Sequence, residues 1–204
     1  AGNVGGVLTF STSATNGTLT DRMIIDESGR LGVGTSSPQT DLHVDSGDAG
    51  VLLLSRTSAN TSGDLGILRF GNTDFDSNLA EILAIQDGSQ TNAALTFKTQ
   101  STGAATAERM RIDSNGTVLV GKTAEGTATD GIELNRQDVI VATRNGDAPL
   151  ILNRRTSDGD IALFRKDNTT VGSINAVGGD LAILSTTSNH KGLRFGSGAI
   201  TPTT

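Results

Sequence analysis

The strongest constraint on this chain is an internal repeat with a period of 87 residues. LTFST at positions 8–12 recurs as LTFKT at 95–99, and residues 22–34 match residues 109–121 in the same register without a gap. Chance would not keep that register over so many positions. The repeat therefore predicts one supersecondary unit used more than once, each copy stabilised by its neighbours.

A looser repeat links the middle of the chain to its C-terminal part. LLLSR at 52–56 resembles LILNR at 150–154, and GDLGIL at 63–68 resembles GDIALF at 159–164, with offsets of 98 and 96 residues. LRF at 193–195 repeats the apolar, Arg, apolar pattern of residues 110–112. We expect the end of a first β-repeat module at 1–46, a complete module at 47–136 and a partly diverged module at 137–204.

Apolar and polar residues alternate in both copies of the 87-residue repeat, as they do in half-buried strands. Ile24 is replaced by Arg111 in the second copy, so we expect this position to face water and its neighbours to face inward. The inward side chains, predicted to form an inter-chain core, are Met23, Ile25, Val33, Met110, Ile112 and Val120.

Turn signals separate these strands. Residues 26–29 and 113–116 place Asp first and Gly last, which predicts a type I turn closed by a left-handed glycine and hence a hairpin. The other repeated blocks, 52–54 and 150–152 among them, also predict strands. Residues 79–85 fit a short helical stripe or a buried strand, and their counterpart at 171–175 fits a strand better. The fold class that we predict is all-β, with repetitive β-hairpin modules forming an elongated fibre shaft.

Composition predicts a thin core. Hydrophobic residues make up 35% of the chain and aromatic residues 3%, and there are 26 Gly. Because the chain has few large apolar side chains, their burial offsets only part of the conformational entropy that is lost on folding. Each unit must therefore bury its apolar face against another unit or an identical chain. Exposed strand edges also invite pairing unless a partner covers them, which favours an oligomer.

Charge and residue usage exclude several classes. The net charge is −6 and Lys and Arg occur singly, which argues against nucleic acid as a partner. The chain has no Cys, so disulfides and cysteine metal sites are excluded. No apolar run approaches the roughly 18 residues of a membrane span, and the first residues lack signal-peptide features. We expect a soluble chain without membrane insertion or cofactors.

A resemblance to a known family rests on residues 108–116, residues 30–38 with the following 41–44, and the closing residues 192–202. These segments resemble the repeated shaft modules of bacteriophage tail-fibre and tailspike-like proteins. Residues 192–202 are similar to the sequence that precedes an intramolecular chaperone domain in many of them. The resemblance implies a parallel homotrimer whose chains wrap about a common axis. It also implies a virion or extracellular location, other tail or virion proteins as partners, and host glycan contact through regions outside this segment.

Candidate catalytic and metal-binding residues each have a simpler structural interpretation. His43 lies in an alternating stretch, where an outward strand histidine is expected, and His190 lies in a polar loop and is expected to be solvated. Histidines on a three-fold axis can bind metal, but closely spaced copies are needed. We therefore predict no metal site and no catalytic histidine.

Paired carboxylates are the other candidates, because glycan-cleaving enzymes use two across a sugar. Asp74 with Asp76, and Asp158 with Asp160, sit in sequences typical of tight turns, and the first pair lacks the spacing of a calcium loop. The short Gly-containing motifs at 32–34 and 196–198 lack the following helix of a phosphate loop. The chain has no Trp or Tyr to stack on sugars.

The sequence thus favours a mechanical role, with no enzymatic activity. A rigid oligomeric shaft would position a distal host-binding element. A bacterial surface adhesin or filament subunit is the alternative, and a glycan depolymerase is less favoured. The strands could wind as a trimeric prism, a β-helix or stacked small sandwiches. Arg22 and Arg109 occupy the same repeat position, where either an ion pair or an exposed charge is expected.

Overall fold

Short alternating segments, separated by turns rich in Gly and Asp, give a chain of strands and loops. The computed structural model describes residues 5–13, 15, 17–57, 60–185, 192–196 and 199–202. These residues form sixteen strands and no helix, so the all-β prediction is confirmed. The run at 79–85 is a strand. The strands are β1 Leu8–Ser13, β2 Leu19–Ile25, β3 Leu31–Val33, β4 Leu42–Val44, β5 Ser62–Asn72, β6 Asp76–Asp87, β7 Ala93–Thr99, β8 Ala107–Ile112, β9 Val118–Val120, β10 Gly131–Leu134, β11 Ile140–Thr143, β12 Gly159–Lys166, β13 Thr169–Val177, β14 Asp180–Ser185, β15 Leu193–Gly196 and β16 Ala199–Pro202.

The chain divides into two units, residues 1–114 and 115–204. In the first unit, β1, β2, β3 and β4 pair in that order, and β3 and β4 are parallel. Strands β5 to β8 of the same unit form an antiparallel meander. In the second unit, β9 to β11 form one antiparallel meander and β12 to β16 another.

The 87-residue repeat recurs in the strand register. Phe10 lies opposite Met23 in the first copy, and Phe97 lies opposite Met110 in the second. A β-bulge follows at the same place in both hairpins, after Phe10 and after Phe97. A bulge leaves one residue of the longer strand unpaired, and here that residue is an arginine in each copy. The two copies therefore share a backbone geometry as well as a sequence.

The predicted turn between β2 and β3 is present. Gly29 has φ of 79° and its amide donates to the carbonyl of Asp26 at 2.9 Å. The Asp26 carboxylate accepts the backbone amides of Arg30 and Ser28, each at 2.9 Å. Hydrogen bonding by Arg30 and Ser28 lowers the pKa of Asp26. In the second copy Gly116 takes a φ of 88°, so the same turn residue adopts the same left-handed backbone.

The looser repeat gives one confirmation and one correction. Strands β5 and β12 both carry a bulge close to their start, at Asp64/Gly66 and at Asp160/Ala162. The predicted strands at 52–54 and 150–152 are wrong for the single chain, because both segments lie outside every strand. A continuous apolar run satisfies the sequence criterion for a buried strand, but a strand also needs a hydrogen-bonded neighbour.

The prediction that position 24 of the repeat faces water is wrong. Ile24 is 9% exposed, and the side chain of Arg111 is only 13% exposed. Residues 36–39, which follow β3, line the same hollow as Ile24. Arg111 tolerates its partly buried position because its guanidinium binds the Glu108 carboxylate. The second copy thus carries a charged side chain where the first carries an apolar one, and both are largely shielded from solvent.

Several well-buried side chains lie on the face that carries position 24, and some of them are polar. Leu83 and Thr96 are opposite each other on β6 and β7 and are almost fully buried. Glu81, two residues from Leu83 on the same face, is also buried. The described part of the chain has no helix with the length and hydropathy of a membrane span.

Candidate functional site

The candidate site is the other face of the sheets, which is apolar and open. In the β1–β4 sheet, paired residues form two lateral rows across all four strands. We call the open side the apolar face, and define it in each sheet by such rows. The rows here are Leu8, Ile25, Leu31, Leu42 and Phe10, Met23, Val33, Val44.

The β5–β8 meander repeats this arrangement. Its rows cross the four strands in register, and they again contain no charged or hydroxyl side chain. Met110 and Ile112 take the positions that Met23 and Ile25 hold in the first sheet. The rows are Leu68, Ile82, Phe97, Met110 and Gly66, Ala84, Leu95, Ile112.

The second unit has apolar rows in both of its meanders. Val120, the last of the six predicted core residues, lies at the start of one row in the β9–β11 meander. The rows of β9–β11 are Val120, Ile132, Ala142 and Val118, Leu134, Ile140. Those of β12–β16 are Ala162, Ile174, Ile183, Leu193 and Ala176, Leu181, Phe195, Ile200.

The six side chains predicted to form an inter-chain core therefore lie in equivalent rows. Ile25 and Val33 are each 36% exposed and Val120 is 39% exposed. Met23, Met110 and Ile112 are half-buried. An apolar side chain gains free energy on leaving water, so a face of this kind is a candidate interaction surface. Whether sister chains cover these six residues stays a prediction.

The opposite face of the β5–β8 meander carries a row of alternating charge. Arg69, Glu81, Lys98 and Glu108 are paired in that order across the four strands. The Arg69 guanidinium contacts the Glu81 carboxylate at 2.9 Å, and the Lys98 ammonium lies 4.0 Å from it. Cross-strand neighbours of opposite sign stabilise a sheet. The charges on this face are thus paired within one chain, whereas the side chains of the apolar face have no such partner surface there.

Arg111 extends the charged face by one row. Its guanidinium donates to both Glu108 carboxylate oxygens, at 2.6 and 2.8 Å. The hydrogen bonds to Glu108, and the nearby Asp87 and Asp113 carboxylates, raise the pKa of Arg111. The Ser114 amide, 3.0 Å from the Asp87 carboxylate, lowers the pKa of Asp87. The Arg111 guanidinium is thus bound by Glu108 and lies near two further carboxylates.

A second charged cluster lies in the second unit. The Lys122 ammonium and the Glu133 carboxylate are 3.3 Å apart, with side chains 1% and 4% exposed. Glu133 also accepts the Asn135 amide at 3.0 Å and the Gly126 backbone amide at 2.9 Å. These two donors and Lys122 lower the pKa of Glu133. The cluster holds the loop around Gly126 against β10, which is a structural role.

His43 is the one candidate histidine among the residues that the structure describes. His43 lies on β4 opposite Gly32, on the face away from the apolar rows. It is half-buried, and its Nδ1 has no hydrogen-bond partner in the structure. His190 lies outside the described residues. Among the described residues, no group of three or more His, Cys, Asp or Glu side chains could hold a metal ion.

Two of the four candidate carboxylates have local hydrogen-bond partners. Asp76 accepts the Asn78 backbone amide at 2.8 Å and the Gln100 side chain at 3.0 Å, and these bonds lower its pKa. Asp158 accepts the backbone amide of Gly178.

The other two carboxylates lie in a turn and in a strand. Asp74 sits in the β5–β6 turn, where its own backbone amide donates to the Asn72 side chain at 3.2 Å. Asp160 lies in β12 opposite Asn175. Turn and strand contacts of this kind favour the structural interpretation of both pairs.

Two open hollows have polar walls and locally bonded carboxylates. One, of about 450 Å³, includes Asp130, which accepts the Asn145 backbone amide at 2.9 Å. The other, also about 450 Å³, includes Asp26, which is bound to Arg30 at 2.7 Å. A third hollow is apolar, and Leu52, Leu53 and Leu54 form part of its wall.

No protein-family model matches the chain, and no curated protein is similar enough to serve as a relative. The function of the apolar face must therefore be argued from its own geometry.

Proposed function

We propose that this chain is a structural segment of a phage tail fibre or similar virion appendage, a rigid homotrimeric shaft that positions a distal host-binding element. The single observation that carries the proposal is the apolar face, which recurs in register in every sheet and stays open in one chain. A surface exposed at regular intervals along a repetitive chain fits assembly better than recognition of one small ligand.

The surface area supports assembly. The chain exposes 14697 Å². Two separate compact units that share the 20.9 kDa of the chain would together expose about 10,800 Å² by the usual scaling with mass. The difference of roughly 3,900 Å² lies in the range that obligate oligomers bury.

A copy of the same chain is the simplest partner. The apolar rows of the two units are chemically alike, and a second copy would bring matching rows with the same spacing. The number of chains, three, comes from the resemblance of residues 30–44 and 108–116 to fibre-shaft modules. The virion location rests on the same resemblance.

We propose no enzymatic activity for the segment. Asp76 and Asp158 are bonded to nearby backbone amides. A glycosidase needs two carboxylates that face the same sugar, one of them free to exchange a proton.

Light scattering coupled to size-exclusion chromatography tests the proposal. The expected mass is three times the 20.9 kDa of one chain. A folded monomer at micromolar concentration would overturn it. Immunogold labelling with an antibody against the chain then separates the two settings: label on phage tails supports the virion role, and label on bacterial surfaces supports the adhesin.

A further inference from the structure

Two apolar runs lie outside the sheets and remain exposed. They are residues 51–54 and 150–152, and every side chain in them is between 43% and 78% exposed. In a half-buried strand only alternate side chains face water. Here consecutive side chains do, so the single chain leaves much of each run uncovered.

The two runs hold equivalent positions in their modules. Each ends two residues before an arginine, Arg56 or Arg154, that binds the start of the long hairpin after it. The Arg56 guanidinium donates to the Ser62 carbonyl at 2.7 Å. The Arg154 guanidinium donates to the carbonyls of Ser157 at 2.8 Å and Asp160 at 3.3 Å. The runs are thus tied to the folded hairpins, and they occur twice.

The first run adjoins the apolar face of its own unit. Leu52, Leu53 and Leu54 line a hollow of about 270 Å³ together with residues of β5, β6 and β7. The other walls come from the apolar rows: Gly66, Leu68, Ile82, Ala84 and Leu95. The run therefore lies against the apolar face, with Leu54 next to Gly66.

We propose that residues 51–54 and 150–152 are inter-chain elements, each covered on its open side by a second copy of this chain. This inference rests on the proposed function and adds where the chains meet. The runs carry no charge, so the surface that covers them must be apolar. The rows of a second copy supply that surface for both runs, and the excess of roughly 3,900 Å² over two compact units leaves room for such an interface.

Single thiols test the proposal, because the chain has no native cysteine. Leu53→Cys and Ile151→Cys place a thiol in each run, and Ser28→Cys places the control thiol in an exposed turn. Each variant is treated with a bulky maleimide, and its mass is measured by light scattering in the same buffer. We expect positions 53 and 151 to react about tenfold or more slowly than position 28, and at an equal rate once denaturant separates the chains.

The outcomes separate this inference from the proposed function. An oligomer in which positions 53 and 151 react as fast as position 28 overturns the inference and leaves the shaft proposal standing. A monomer overturns both. Thiols that react freely in buffer but are protected by phosphatidylcholine vesicles would identify a lipid surface as the partner, which also overturns the inference.

Hydrogen exchange on the unmodified protein gives an independent measurement. Residues 51–54 and 150–152 lie outside the strand ladders of the single chain. Slow exchange of their amides in the oligomer, lost on dilution to monomer, is the expected result. Fast exchange in the intact oligomer would contradict the proposal without any substitution.

Discussion

Arg22 donates from Nε to the hydroxyl of Thr12 at 2.9 Å, and 87 residues later Arg109 donates to the hydroxyl of Thr99 at 3.1 Å. Each arginine is the residue that the β-bulge leaves out of the strand pairing. The bulge turns its side chain across to the neighbouring strand. The sequence predicted either an ion pair or an exposed charge at this position. Both arginines are exposed, and each also donates a hydrogen bond to a threonine.

This bond is exposed, so its contribution to stability is small. We expect Arg109→Ala and Thr99→Val each to lower the free energy of unfolding by about 0.5–1 kcal/mol. The double variant should cost less than the sum, since both remove the same bond. Urea unfolding at a fixed chain concentration measures the coupling. Strictly additive effects would show that the two side chains act independently.

The apolar face gives a sharper prediction. Ile25→Asp should abolish or strongly weaken assembly, because it places a charge in a proposed dry interface and costs about 3 kcal/mol or more. In a monomer the same change would be mild, since Ile25 is already 36% exposed. Thr9→Asp is the control, because Thr9 is exposed and pairs with Ile24 on the opposite face of the sheet. Equal masses for the two variants by light scattering would argue against the interface.

A third prediction concerns the alternating charges on β5–β8. Glu81→Gln leaves Arg69 and Lys98 beside a buried neutral amide. We expect the free energy of unfolding to fall by about 1–3 kcal/mol. Asp64→Asn, at an exposed position of β5, removes a carboxylate without breaking an ion pair of the described residues. Indistinguishable thermal midpoints would show that the row contributes nothing.

Stability should also depend on Glu133 below neutral pH. Its pKa in the folded chain lies below the ordinary value of 4.5, because Asn135, Gly126 and Lys122 favour the carboxylate. A lowered pKa means that the unfolded chain takes up the proton first, so the stabilisation is complete above pH 4.5 and is lost as the pH falls through the folded pKa.

Glu133→Gln is the matching variant. It should lower the thermal midpoint at pH 7 and flatten the acid side of the profile, since Lys122 then lacks its anion. Scanning calorimetry of both proteins from neutral to acidic pH measures the difference. Parallel profiles would mean that Glu133 titrates as it does in the unfolded chain.

Equivalent glycines of the 87-residue repeat should respond differently to alanine. Gly34 has φ of 78°, and a Cβ there would lie 1.8 Å from the Asp45 carbonyl oxygen. Gly121 has φ of 72°, and the nearest atom to such a Cβ is 4.0 Å away. We expect Gly121→Ala to cost about 1–2 kcal/mol of backbone strain and Gly34→Ala about 3 kcal/mol or more, read from chemical denaturation. Equal costs would mean that the loop that begins at Asp45 moves aside at no cost.

The hairpins could be predicted from the sequence, because the turn at Asp26 and Gly29 is local chemistry and the alternation of Met23 and Ile25 follows the strand period. The buried position of Arg111 could not. Its charge is held by Glu108 and Asp87, and which residues meet depends on a bulge that alternation does not reveal. The loop at 36–39 beside Ile24, and the parallel pairing of β4, likewise depend on tertiary contacts.

The apolar runs show the same limit in another form. Residues 52–54 and 150–152 have the composition of a buried strand, but a strand also needs a hydrogen-bonded neighbour. None of the described strands of the single chain pairs with either run. The module boundaries at 46/47 and 136/137 stay a prediction from the repeat.

The recurrence of the bulge has a genetic consequence. Strand partners, turn and arginine contact all lie within one stretch and return 87 residues later, so a tandem duplication of that length would copy a complete set of compatible hydrogen bonds. Unequal recombination between such stretches would add or remove whole units while leaving every remaining backbone pairing intact. Length could then be selected separately from stability.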